Sequence, residues 1–196
     1  EFSFLQLISK TLEMRPLVSV KSSEINEIEE IVLQNNKQIL QQIPEEYDLE
    51  FEDFLDSIKT ALMFEAWINE GTEDKILTKF KMAPGELHNK LLLVDWLIYS
   101  LHELALLSGY KDILTPLRKL RIRLKYGVKE ELVPLVKLKG IGRIRARRLF
   151  NANLDSLDKL RKIPIERLAS IVGINVANEI KKQLGEKEKL AEEKQS

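Results

Sequence analysis

Leu138-Lys-Gly-Ile-Gly-Arg-Ile-Arg-Ala-Arg-Arg-Leu149 is the stretch on which the reading of this chain turns. Gly140 and Gly142 permit backbone angles and a close approach that a Cβ would block. Ala146, one turn later, lets two helices pack closely, while Ile141 and Leu149 supply apolar anchors. The spacing therefore predicts a helix, a tight turn and a second helix. The start of that second helix carries backbone N–H groups without intrahelical acceptors, and such groups make a phosphate site.

The order hydrophobe, x, Gly, hydrophobe, Gly, three residues, Ala, two residues, Leu is the helix-hairpin-helix pattern. Arg143, Arg145, Arg147 and Arg148 surround its backbone site with cations, the first and third on one face and the others on another. A guanidinium can give a phosphate two parallel hydrogen bonds. Contacts of this kind hold a strand without reading its sequence. Gly140, Ile141, Gly142 and the four arginines are thus candidate DNA contacts. A purely structural helix–turn–helix is the plain alternative, and the Ala, the Leu and the arginines argue against it.

A degraded second copy follows in Leu168-Ala-Ser-Ile-Val-Gly-Ile-Asn-Val-Ala-Asn-Glu-Ile180. It aligns Gly173 with Gly142, Ala177 with Ala146 and Ile180 with Leu149. Ile171 replaces the first glycine, and Asn175 and Asn178 stand where basic residues would help. We read this copy as mainly a structural partner of the first.

Working outward, the net charge of zero conceals a division. Residues 1–117 hold 10 Lys+Arg against 21 Asp+Glu, whereas residues 118–148 hold 12 against two, Glu130 and Glu131. That pattern marks a local polyanion site on an acidic body. The remainder of the chain reads as helix, with little period-two alternation. Helices are expected over Phe2–Met14, from a Ser23 cap to about Ile43, over Phe51–Asn69 with Gly71 as its stop, and over Glu73–Lys81 capped by Thr72. Pro84 opens a helix to Ser108 that is apolar on nearly every side, which predicts the central element of a bundle. In Tyr110–Tyr126 the cations Arg118, Arg121 and Lys125 form a stripe opposite Leu114, Leu117, Leu120 and Leu124. The fold class expected is all-α: a helical bundle over 1–126, a small hairpin domain over 127–186 and a charged tail, 187–196.

Much chemistry is disfavoured. With no cysteine and only His88 and His102, disulfides, thiolate catalysis and Cys-based zinc sites have no ligands, and a histidine-rich metal site is not expected. There is no Gly-x4-Gly-Lys-Ser/Thr loop for nucleotide phosphates and no glycine elbow beside a histidine. Glu29-Glu30 reads as solvated surface. No catalytic residue, metal or cofactor is therefore expected here. No run is apolar enough to cross a bilayer and no signal peptide is visible, so the expectation is a soluble intracellular chain. Because residue 1 is Glu rather than Met, we expect a piece of something longer.

Lys119–Ala152, with Lys-Tyr-Gly-Val-Lys-Glu-Glu-Leu ahead of the Gly-Ile-Gly-Arg-Ile-Arg-Ala-Arg-Arg hairpin, resembles archaeal superfamily 2 DNA helicases of the Holliday-junction-migration (Hjm) type. Phe54–Glu70 and Ala83–Ser108 resemble the same family's helical ratchet domain. The resemblance implies two motor domains that use ATP and magnesium to unwind DNA 3′ to 5′, with the ratchet closing a ring on the tracking strand and the hairpin domain binding that strand and restraining the motor. The residues alone favour a core role for Trp96 on an all-round apolar helix; the resemblance implies that it stacks on a base, and leaves the two readings even. A basic residue two turns earlier in the family falls here at Asn89, flanked by His88 and Lys90, so this sequence departs from the pattern. Expected partners are single-stranded and forked DNA, the parent motor domains, and replication or repair proteins, in the archaeal cytoplasm near the nucleoid and away from membranes. A protein-interaction adaptor, docking a partner through the acidic bundle, is the competing reading. A nuclease or glycosylase is a minor third, since no carboxylate cluster accompanies the hairpin.

Overall fold

The computed structural model describes the backbone of residues 1–192 and the side chains of residues 1–185. Among the described residues the chain is all α, with eleven α-helices, short 3-10 turns and no strand. It divides into two compact units, Glu1–Gly127 and Val128–Ser196. No described helix is long and apolar enough to cross a membrane.

The first unit contains α1 (Phe2–Ser9), α2 (Ile25–Gln34), α3 (Phe51–Ile68), α4 (Glu73–Phe80), α5 (Pro84–Leu107) and α6 (Leu114–Tyr126). Its centre is α3, which buries Phe54, Leu55, Ile58, Ala61, Met63, Phe64 and Ile68. Each of these side chains except Ala61 contributes on the order of 1.5–3 kcal/mol on leaving water. The expectation that the all-round apolar α5 is central does not hold. It buries Leu87, Val94, Leu97, Ile98 and Ala105, while Leu92, Trp96, Tyr99, Leu104, Leu106 and Leu107 remain exposed. Apolar character on a second face reports that the face avoids water in some state, not that this unit covers it.

Polar side chains of α3 fasten the extended segment that precedes α2. Thr60 Oγ1 accepts from the Val18 amide at 2.9 Å, and Asp56 Oδ1 accepts from the Val20 amide at 2.6 Å. Lys59 donates to the Ser19 carbonyl at 2.8 Å and to Glu24 at 2.6 Å, with its side chain 6% exposed.

Several boundaries differ from expectation. The first helix stops at Ser9, and Leu12–Met14 forms a 3-10 turn. α2 starts after Glu24 rather than Ser23 and ends at Gln34, well short of Ile43. The apolar face of Ile28 and Val32 meets Asn35 and Asn36 one turn on, and the Asn35 side chain donates to the Ile31 carbonyl at 3.0 Å, competing with the helix. At the end of α3 the left-handed residue is Glu70, φ 66°, not Gly71. Gly71 is required for space: a Cβ there would sit 2.7 Å from the Ala66 carbonyl oxygen. Thr72 caps α4 as expected, accepting from the Lys75 amide.

The second unit contains α7 (Val133–Val136), α8 (Arg143–Asn151), α9 (Leu157–Lys162), α10 (Ile165–Val172) and α11 (Ile174–Glu192). Its core joins Leu132, Leu135, Val136, Ala146, Leu149, Leu160, Leu168, Ala177 and Ile180, all at 0% exposure. Ser156 caps the start of α9. The Lys181 ammonium caps its end, donating to the carbonyls of Leu160, Arg161 and Ile163. Within the expected charged tail, helical backbone continues to Glu192; the tail's side chains and residues 193–196 lie outside the described residues.

Candidate nucleic-acid interface

In the second unit the first hairpin forms as its spacing predicts. Gly140 takes φ +83°, the left-handed region that favours glycine. Gly142 differs: its φ is −91°, and a Cβ on it would meet nothing within 4 Å. The close approach expected at Gly142 is thus not to any of the described residues. Gly142 is the N-cap of α8, and no side chain caps the helix there. α4 and α9, by contrast, are capped by Thr72 and Ser156. The turn is exposed at Lys139, Gly140 and Gly142, as are Ile144 and Arg145 in the first turn of α8, whose amides have no intrahelical acceptor.

Ala146 and Leu149 are fully buried, as their packing role requires. Ile141, expected both as an anchor and among the contacts, takes the anchor's place. Its side chain is 2% exposed and its amide donates to the Leu138 carbonyl at 3.1 Å. Arg145 and Arg148 are exposed, and Arg145 donates to the Gly140 carbonyl at 3.0 Å, which lays its guanidinium along the turn. Arg147 is engaged more firmly: it pairs with Glu131 at 2.9 Å and lies 5.1 Å from the Phe150 ring centroid. Burial raises the Glu131 carboxyl, but the Arg147 hydrogen bond, its own backbone amide and the charges of Arg147 and Lys129 outweigh it and hold Glu131 below the ordinary carboxylate range.

The second copy repeats the hydrogen-bond plan. Ala177 N donates to Gly173 O at 3.0 Å, as Ala146 N donates to Gly142 O at 3.0 Å. With Ile171 inside α10, Gly173 alone makes the turn, at φ +89°.

In the first unit Trp96 is 54% exposed, which removes the core alternative for it. At 100° per residue, Asn89, Leu92, Trp96 and Tyr99 share one face of α5. Lys90 follows Asn89 about 100° around the helix: its ammonium donates to the carbonyls of Met14 and Pro16, and burial lowers its pKa. Of the expected basic stripe on α6, Arg118 and Lys125 are exposed, while Arg121 holds Asp95 with two 2.9 Å hydrogen bonds. Arg123 is 4% exposed and pairs with Glu1. Trp67 is half-buried and donates to the Leu124 carbonyl at 2.7 Å. His102 contacts Glu103 through Nδ1, and its buried Nε2 has no partner among the described residues.

The family model of archaeal helicase domain 4 matches residues 2–127. This chain belongs to the archaeal helicase domain 4 family. Beyond that match, it is 40% identical over 188 residues to the ATP-dependent DNA helicase Hel308 of Methanocaldococcus jannaschii, covering 95% of this chain and 15% of that protein. The Hel308 of Methanocella arvoryzae is 37% identical over 191 residues, covering 95% of this chain and 26% of the relative. That of Thermococcus kodakarensis is 37% identical over 176 residues, 89% and 16% respectively. The likeness extends past residue 127 into the hairpin unit, and it bears out the resemblance read from the motifs. The chain spans 15–26% of the length of these curated relatives.

Two positions of this domain 4 chain escaped sequence reasoning. Gln183 accepts from the Lys139 amide at 2.9 Å and donates to the Lys139 carbonyl at 3.2 Å, holding the hairpin turn from α11. The signal was faint: a glutamine beside the apolar register Ala177, Ile180, Leu184. Glu131, counted only as an acid inside a basic run, is the partner that orients Arg147.

Proposed function

We propose that this chain is the strand-handling part of an ATP-dependent DNA repair helicase that acts on forked or branched DNA. The observation that carries the reading is the exposed, uncapped start of α8 at Gly142, flanked by the guanidinium groups of Arg145 and Arg148. Amides and cations so arranged take successive phosphates of a single strand regardless of base. Gly140 shapes the turn, and Arg143 and Arg147 add charge around it. In the domain 4 bundle, Trp96 offers its ring to a base, Asn89 offers an amide on the same face, and Arg118 and Lys125 supply cations from α6. Arg121 acts through Asp95 and Tyr99 rather than on the strand.

The relatives carry the name ATP-dependent DNA helicase, and we infer that motor domains supply the 3′ to 5′ unwinding, with ATP and magnesium bound there. The hairpin unit grips the emerging strand and thereby restrains the motor. The complex would act in the archaeal cytoplasm, at the nucleoid. Salt titration of binding to a fluorescent oligo-dT tests the reading. Neutralising four to six phosphates predicts a log–log slope of roughly −3 to −4, at about 0.7 per phosphate of a single strand. A flat response would end it.

The adaptor reading has one observation in its favour. Tyr47 and Leu49, 80% and 102% exposed, stand among Glu45, Glu46, Asp48 and Glu50, as an acidic docking loop would. Replacing Arg145, Arg147 and Arg148 with alanine separates the two, since an adaptor would keep its partner and a DNA grip would lose its strand.

A further inference from the structure

The Pro16–Lys21 segment, the turn at Lys81 and Met82, and α5 enclose a pocket of about 530 Å³ in the first unit. Its charge is opposite to that of the acidic body around it. Arg15, Lys21, Lys59, Lys81 and Lys90 line it, against Glu86 alone among its lining carboxylates. Some of this charge is neutralised within the fold: Arg15 by Asp53 at 2.6 Å, and Lys59 by Glu24 at 2.6 Å, with Lys81 at 4.0 Å from Glu24. Glu86 accepts from the Ala83 amide at the start of α5. Among the described residues, Lys21 and Lys90 have no carboxylate within ion-pair distance. Five cations therefore face three carboxylates, and the pocket holds an excess of positive charge.

Lys90 gives two of its N–H groups to the carbonyls of Met14 and Pro16 and has a third to give. Leu17, Met82 and Leu93 furnish an apolar wall beside the cations. Asn89 lies at the same pocket and on the Trp96 face of α5, seven residues or roughly 10 Å along the helix from Trp96. An anion with an attached apolar plate, bound near Trp96, meets all of these features.

We propose that the pocket takes a backbone phosphate of the single strand lying on the Trp96 face, held by Lys21, Lys81 and Lys90, with its nucleoside against Met82 and Leu93. The assignment rests on the single-strand reading above and adds a second grip, on the bundle itself.

Lysine acetylation footprinting of the whole 196-residue chain, read by mass spectrometry with and without oligo-dT, tests it. We expect the strand to shield Lys21, Lys81 and Lys90 together with Lys139 beside the hairpin. In parallel, Lys21→Gln/Lys81→Gln, checked for unchanged thermal unfolding, lowers the salt slope of oligo-dT binding by about 0.7, one phosphate's worth. Shielding of Lys139 without the three pocket lysines overturns the pocket and leaves the single-strand reading standing. Shielding by inorganic phosphate but not by oligo-dT overturns it in favour of a free anion. No shielding anywhere overturns both.

Discussion

Arg121 on α6 holds both carboxylate oxygens of Asp95 on α5 at 2.9 Å and lays its guanidinium 4.7 Å from the Tyr99 ring centroid. A cation of the basic stripe expected on α6 is thus engaged in fixing the face that carries Trp96. We expect Arg121→Ala to cost about 1 kcal/mol in denaturant unfolding, the worth of a half-exposed bidentate pair with a stacked guanidinium. The salt slope of strand binding should move by less than the roughly 0.7 of one phosphate. Arg118→Ala should do the reverse, with stability unchanged and the slope reduced.

The two hairpin glycines should separate stability from binding. Gly140 sits at φ +83°, so Gly140→Ala forces a side chain into the left-handed region at about 1–2 kcal/mol. Gly142 has ordinary angles and open space around it, so Gly142→Ala should leave unfolding within about 0.5 kcal/mol of the parent. Its methyl group would stand where a phosphate meets the α8 amides, and oligo-dT affinity should fall. Equal loss of stability in both variants would show that Gly142 serves the fold.

Trp96→Ala should weaken oligo-dT binding by about 1–3 kcal/mol, the range for a base stacked on an aromatic side chain. With the ring 54% exposed, unfolding should change far less. Asn89→Arg should tighten binding and steepen its salt dependence. An unchanged affinity in both variants would remove the α5 face from the strand's path.

Glu24 links pH to the stability of the first unit. Its carboxyl lies below the ordinary range, first through the hydrogen bond from Lys59, then the Lys21 amide, against the opposing effect of burial. A depressed folded-state value means the stabilisation is complete above the unfolded-state value near 4.3 and is lost as pH falls through the folded one. Glu24→Gln, which strands a buried ammonium, should cost about 3 kcal/mol near pH 7. The gap to the parent should close in acid. Asp56 runs the opposite way, since burial foremost raises its carboxyl. Urea unfolding of both proteins from pH 7 to pH 3 measures the difference.

The hairpin was legible because its determinants are local: two glycines, an alanine and a leucine within twelve residues. Helix starts at Thr72 and Pro84 were legible for the same reason. Charge pairing was not. Glu131 reaches Arg147 from 16 residues away, Asp95 reaches Arg121 from 26, and Glu1 reaches Arg123 from 122. Counting charges along the chain cannot show that three cations of the basic run are matched by carboxylates. The role of α5 was hidden for a related reason. Its composition shows a second apolar face, but only packing distinguishes the buried Val94 and Ile98 from the exposed Leu92 and Trp96.

Backbone amide shifts of the ¹⁵N-labelled chain, followed while oligo-dT is added, test the grip on phosphate most directly. The Gly142, Ile144 and Arg145 amides should move together and saturate with the binding curve, and the response should vanish in Arg145→Ala/Arg148→Ala. If those amides stay still while the strand binds, α8 does not hold it.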